Sequence, residues 1–237
     1  MQSSTIIVAI LVVFALGFDF TNGFHDTANA MATSIATGAL PPRVAVLLSG
    51  MLNFLGAFLS LHVAATIATG IVDPKVVTTT TVFAGLIGAT TWNLFTWLGG
   101  LPSSSSYAIV GGTVGATLVQ AGSGPVKVDG IVRSVLVPAV ASPIIAVVAA
   151  TVAAAVALAI TRRTHGDFAA HGYRIGQIAS ASMVSLAHGT NDAQKTMGII
   201  TLALITTGGV SATAGTPLWV VAACATAIAL GTSAAGA

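Results

Sequence analysis

Three aspartates, Asp19, Asp26 and Asp192, stand inside stretches that are otherwise almost wholly apolar. A carboxylate at the centre of a membrane helix costs about 2.5–3.5 kcal/mol on insertion scales, so its position implies a partner or a task. The neighbours of two of them are amides and hydroxyls. Asn22, His25, Thr27 and Asn29 surround Asp26, while Thr190, Asn191, Gln194, Lys195 and Thr196 surround Asp192. Amides and hydroxyls donate hydrogen bonds to an oxyanion. An ionised carboxylate only accepts, from a protonated ligand, or coordinates a cation. This mixture suits a partly protonated oxyanion accompanied by a cation. Asp19 has no acidic counterpart in the second cluster.

Other chemistries fit less well. His188 and Asp192 are four residues apart and share one helix face. Two ligands do not make a metal site, and no Cys or Glu cluster joins them, so His188 reads as structural. His25 beside Asp26 suggests an acid–base pair, but adjacent helical side chains diverge and no nucleophile is placed, so no catalytic residue and no enzyme are expected. The run Ser103 to Ser106 after Pro102 has two readings. It is either a solvated turn ahead of a helix or an anion site, where free backbone N–H groups and serine hydroxyls face negative charge.

The elements that carry these residues belong in a bilayer. Charged residues are 6% of the 237 and hydrophobic residues 55%, with a mean hydropathy of +0.95. A globular domain carries roughly 25% charged residues. Fourteen charges cannot cover a water-facing surface of this size, whereas a lipid-facing surface needs none. No basic run suggests nucleic acid. The one cysteine, Cys224, lies in an apolar stretch and reads as a packing residue. Spans of the required ~20 residues are expected near 5–37, 43–68, 78–100, 132–161, 173–207 and 217–236. The first and fifth are long and interrupted by polar clusters, and are expected to be discontinuous helices. The stretch 103–121, opening after a proline on serines, suits a re-entrant or broken helix with its polar end inside protein or water.

An internal repeat ties the two clusters together. Gly23, Asp26 and Met31 recur as Gly189, Asp192 and Met197 at a constant offset of 166. Arg43, and Arg162, Arg163 and Arg174, place their loops in the cytoplasm by the positive-inside rule, provided 103–121 crosses the membrane.

Three stretches together resemble the inorganic phosphate transporter (PiT) family. They are Asn22-Gly23-Phe24-His25-Asp26-Thr27-Ala28-Asn29-Ala30, His188-Gly189-Thr190-Asn191-Asp192-Ala193-Gln194-Lys195, and Leu101-Pro102-Ser103-Ser104-Ser105-Ser106-Tyr107. The resemblance runs over nearly the whole chain, with the motifs in the family's order. It implies an all-α integral membrane protein built as an inverted-repeat transporter. Substrate would be bound by Asp26, Asn29, Asp192 and Ser104 to Ser106, with Thr190 and Asn191 as additions. Cation coupling would fall to Asp26 and Asp192, with Lys195 beside them. Lys195 departs from the first copy, which has Asn29 there, and resembles the proton-coupled bacterial branch. A fixed ammonium would then take a sodium ion's electrostatic place.

The expected organisation is a first repeat over 1–160 that includes the hairpin-like 101–121, a cytoplasmic loop over 161–174, and an incomplete second repeat over 175–237. The serine run follows Asp26 by 77 positions, yet the chain ends 45 residues after Asp192, so a piece of a longer transporter is expected. The expected function is uptake of inorganic phosphate across a bacterial plasma membrane with H+ or Na+, without any cofactor or resident metal. Another oxyanion such as sulfate, or a non-transporting scaffold, is the alternative. The expected partners are phosphate and the lipid bilayer, with a homo-oligomer left open.

Overall fold

A backbone in hydrocarbon must satisfy its own N–H and C=O groups, and this chain does so as helices. A computed structural model describes residues 2–101, 103–162 and 166–234, with the side chains of 2–5, 25–29 and 166–169 outside the described part. The described elements are α1 (Gln2–Ala36), α2 (Pro42–Gly56), α3 (His62–Ala65), α4 (Thr79–Leu98), α5 (Ser105–Ala121), α6 (Val128–Ile131), α7 (Val137–Thr161), α8 (Gly166–Thr206) and α9 (Leu218–Ala234). A π-helical turn at Thr66–Gly70 extends α3, and another at Val132–Leu136 joins α6 to α7.

The helix ends follow from local chemistry. Pro42 opens α2, where its missing N–H is no loss. Thr78 caps α4 by accepting from the Thr81 N–H. Gly100 and Gly208, at φ 65° and 73°, end α4 and α8. At Gly100 the Leu101 N–H reaches Thr96 O at 2.8 Å while the Gly100 N–H reaches Trp97 O at 3.0 Å. These are the two bonds of a Schellman ending, which needs the left-handed backbone that glycine supplies.

The polar clusters do not break α1 and α8, contrary to expectation. Both run unbroken, over 35 and 41 residues. The reason lies in where the polar side chains bond. Thr190 donates to Leu186 O at 2.8 Å and Asn191 to Ala187 O at 3.0 Å, and Gln194 donates to Thr190 O. Each turns back onto the carbonyl four residues earlier, so the helix absorbs its own polar groups. The real interruption falls in the expected span 43–68, between α2 and α3. There Gln194 accepts from the Val63 N–H at 2.8 Å and the Ala64 N–H at 3.2 Å, satisfying donors freed by the break.

Small residues let these helices cross closely, as in membrane bundles generally. A Cβ on Gly23 of α1 would meet the backbone of Ile228 in α9, and one on Gly189 of α8 would meet the backbone of Asn53 in α2. Similarly, Gly231 of α9 abuts Phe20 of α1, and Gly56 of α2 abuts Leu186 of α8. These contacts form two matched sets. An offset of 166 takes Phe20 and Gly23 to Leu186 and Gly189, and an offset of 175 takes Asn53 and Gly56 to Ile228 and Gly231. α4 and α5 pack side by side through Gly85 and Gly112. The main core gathers Leu11, Phe18, Met197, Ile200, Val221 and Ile228 from α1, α8 and α9.

Among the described residues, two stretches are long and apolar enough to span a bilayer, Ile6–Phe24 and Val128–Thr161, fewer than the six expected. α2 and α9 are apolar but shorter, at 15 and 17 residues. The second stretch, of mean hydropathy 2.6, buries none of its residues. An apolar helix with no protein cover is suited to lipid.

Because Gly189 touches backbone and no movable side chain, Gly189→Ala should lower stability by about 1–3 kcal/mol. Thermal unfolding in detergent checks this, with Gly17→Ala as the control, since open space surrounds that position.

Candidate functional site

The centre of α8 holds a buried ion pair. Lys195 Nζ stands 2.7 Å from Asp192 Oδ2, with side chains 7% and 13% exposed. Three residues separate them, so one helix face carries both. Asn22 of α1 donates to the same carboxylate oxygen at 2.8 Å, and His188 Nε2 lies 3.4 Å from it. Behind His188, Nδ1 stands 3.2 Å from Asn53 Oδ1, and the Asn53 amide donates to Thr232 at 2.8 Å. The pair is thus oriented by α1 directly and by α2 and α9 through His188.

The start of α5 meets this pair. Lys195 Nζ donates to Ser105 Oγ at 2.9 Å. Ser104 is the residue before the helix and its side chain caps no N–H. Trp92 of α4 donates to Ser103 at 2.9 Å and fixes the tip of the α4–α5 hairpin. The polar end is thus partly buried: Ser105 is buried, Ser106 half-buried, and Ser103 and Ser104 are exposed. A helix start presents unpaired N–H groups and a partial positive charge, which favour an anion.

A cavity of about 320 Å³ opens between these elements, lined by Ala30, Ser103 to Ser106, Val184, His188, Asp192 and Lys195. At about 30 Å³ per water it has room for an oxyanion with some of its hydration. A second cavity of about 590 Å³ lies on the other side of the hairpin tip, where Ser104, Ser106, Asn191 and Lys195 meet His62 and Arg133. Ser104, Ser106 and Lys195 thus face both spaces.

The sequence-derived candidates divide accordingly. Ser104, Ser105, Ser106, Asp192 and Lys195 converge. Asn191 lines the second cavity only, with its amide on Ala187 O. Thr190 is placed elsewhere: its hydroxyl bonds Leu186 O and its backbone lies against Gly56 of α2. Asp26 and Asn29 fall outside the described side chains, although Ala30 on the same helix lines the first cavity. The expected binding set left out Asn22 and Ser103, though both stood in the polar stretches singled out, and His188, read as structural, supports the Asp192 carboxylate and lines the first cavity. Asn22 had a visible signal, an amide one turn before Asp26 in an apolar helix.

The Phosphate transporter family profile matches residues 22–171 and 160–237. A probable low-affinity inorganic phosphate transporter of Mycobacterium bovis is 56% identical over 98% of this chain and 56% of its own length. A protein of the same description from Bacillus subtilis is 44% identical over 98% of this chain and 70% of its own. One from Streptomyces halstedii is 44% identical over 77% of this chain and 86% of its own. The chain spans little more than half the length of the mycobacterial relatives. A solved structure described as the sodium-dependent phosphate transporter superposes with a TM-score of 0.74 at 23% identity, covering 97% of this chain and 76% of that one. That likeness gives the fold, an all-helical one. With the profile across nearly its whole length and relatives this similar, the chain belongs to the phosphate transporter family, and so to membrane proteins.

Proposed function

We propose that this chain carries the anion-binding core of a secondary transporter that moves inorganic phosphate with a cation across a bacterial plasma membrane. The observation that supports this most directly is the meeting of the α5 start with Lys195 and Asp192 around one cavity. Serine hydroxyls, helix N–H groups and an ammonium donate to phosphate oxygens. Asp192 accepts from a phosphate that keeps a proton. Sulfate carries no proton near neutral pH, so the carboxylate favours phosphate over it.

The coupling role falls to the charged groups of the two signatures, Asp26, Asp192 and Lys195. A solved relative of the fold is described as sodium-dependent. In this chain Lys195 already balances Asp192 at 2.7 Å, which leaves less need for a sodium ion and supports the proton as coupling ion. The matched crossings of α1 on α9 and α8 on α2 support two structural repeats, which we read as inverted. The structure begins α8 at Gly166, inside the stretch expected as a loop over 161–174; the α7–α8 connection and the start of α8 are assigned to the cytoplasm from Arg162, Arg163 and Arg174, and phosphate passes between the repeats. A scaffold without transport is the second reading, and it predicts no dependence on the serines.

Ser105→Ala removes one hydroxyl from the wall and should weaken phosphate binding by about 2–10-fold, equivalent to about 0.5–1.5 kcal/mol. Thr190→Ala, which touches neither cavity, should leave it unchanged. Radiolabelled phosphate binding to purified protein checks both, and equal competition by sulfate would overturn the choice of anion. In proteoliposomes, an imposed pH gradient should drive phosphate uptake in sodium-free buffer. Uptake that vanishes without sodium would sink the proton assignment.

A further inference from the structure

Asp19 is a buried acid that the cavity itself does not use. It is fully buried, and neither carboxylate oxygen has a hydrogen-bond partner of ordinary geometry. It faces the Thr196 hydroxyl of α8, which is likewise left without such a partner, and it lies near buried Cys224 of α9. An uncompensated buried carboxylate is expensive, and a buried acid carrying a proton much less so.

The matched crossings show what stands in the equivalent place. The offset of 166 takes Asp19 to Ser185, and the offset of 175 takes Ser49 to Cys224. Ser49 and Ser185 are both buried and share a hydrogen bond of 2.9 Å. One crossing is therefore closed by a neutral, satisfied hydroxyl pair. The other places a carboxyl against a thiol, which is a weak donor. Packing alone is met by the serine pair, so the acid is a departure that packing does not require.

The departure is connected to the site. Asp19 feels the charges of Asp192, Lys195 and His188 across the α1–α8 interface. Asn22, one turn along α1, donates to Asp192. Asp192 and Lys195 cancel each other. An ionised Asp19 then adds a negative charge beside a space meant for an anion, and a proton on it removes that charge.

We propose that Asp19 is a further proton-carrying group of coupled transport, beside the charged groups of the two signatures: its carboxylate takes one proton from solvent as phosphate enters the Lys195 cavity and returns it as phosphate leaves. The carboxyl O–H forms as the O–H bond of a solvent hydronium or buffer acid breaks, and the reverse occurs on release. The inference rests on the reading of that cavity as a phosphate site. The titratable or charged groups that face Asp19 are Asp192, Lys195 and His188 from α8 and Cys224 from α9. α4 carries no titratable residue, and α2 has only Arg43, exposed at its start. On α1 itself His25 and Asp26 are the other titratable residues, and their side chains lie outside the described part.

The test is radiolabelled phosphate binding to the purified full chain as a function of pH, for wild type, Asp19→Asn and Asp19→Glu. Phosphate's own titration is common to all three and cancels in the comparison. One linked proton makes wild-type affinity fall up to about tenfold more per pH unit than that of Asp19→Asn. Asp19→Glu should restore the slope. Asn resembles the protonated acid in shape and polarity, so this variant should fold. In infrared difference spectra on adding phosphate, a protonated-carboxyl band should appear in wild type and be absent from Asp19→Asn. Binding by all variants with one shared pH slope and one shared band would overturn this inference and leave the phosphate site standing. A slope in wild type that disappears in sodium buffer would assign Asp19 to sodium and overturn it too. No phosphate binding by well-folded wild type at any pH would overturn both readings.

Discussion

The arrangement depends on one constraint: a charge buried among helices must be balanced where it stands. Asp192 and Lys195 do this within a single turn of α8, at 2.7 Å. Everything around them either orients the pair or makes use of its spare donors. Asn22 and His188 hold the carboxylate, and Ser105 Oγ accepts a hydrogen bond from the ammonium. Removing one partner of a buried pair costs about 3–5 kcal/mol, because the survivor is stranded. The hairpin tip is therefore drawn to α8 by a group that already has to be there, and the cavity is a by-product of that meeting.

Glycine makes the meeting geometrically possible. The close approach of α2 to α8 brings Asn53 within reach of His188, while Asn22 reaches Asp192 across the packing of α1 on α8. Helices in lipid gain little from hydrophobic association and rely on contact between backbones. The near-repetition of the two crossings means that one packing solution is used twice. Their differences then become informative, since side chains that differ at matched positions are released from the shared packing requirement.

Much of the site was legible because polar residues are scarce. Asp192, Lys195 and the serine run stand out against an apolar background, and their types specify donors, an acceptor and a charge. What stayed hidden was the destination of each side chain. Thr190, Asn191 and Gln194 look like breaks in a helix, but they bond carbonyls of their own helix. The interruption after Gly56 carries no proline, and its stabilising group, Gln194, comes from 130 residues further along the chain. Thr190 shares the signature with Asp192, yet two residues along a helix turn a side chain about 200° away, toward α2. Patterns in sequence gave the residue types, and only the helix phase and the crossings decided which of them meet.

The stretch Val128–Thr161 has a separate consequence. Its 34 residues are the most hydrophobic in the protein and none is buried against other helices. Its place in the bilayer is set by partition from water into hydrocarbon, independently of tertiary assembly. During synthesis it can therefore lodge as a stable anchor before α8 and α9 emerge. The segment held most strongly by hydrocarbon thus contributes no side chain to the ion pair, which α1, α2, α8 and α9 hold.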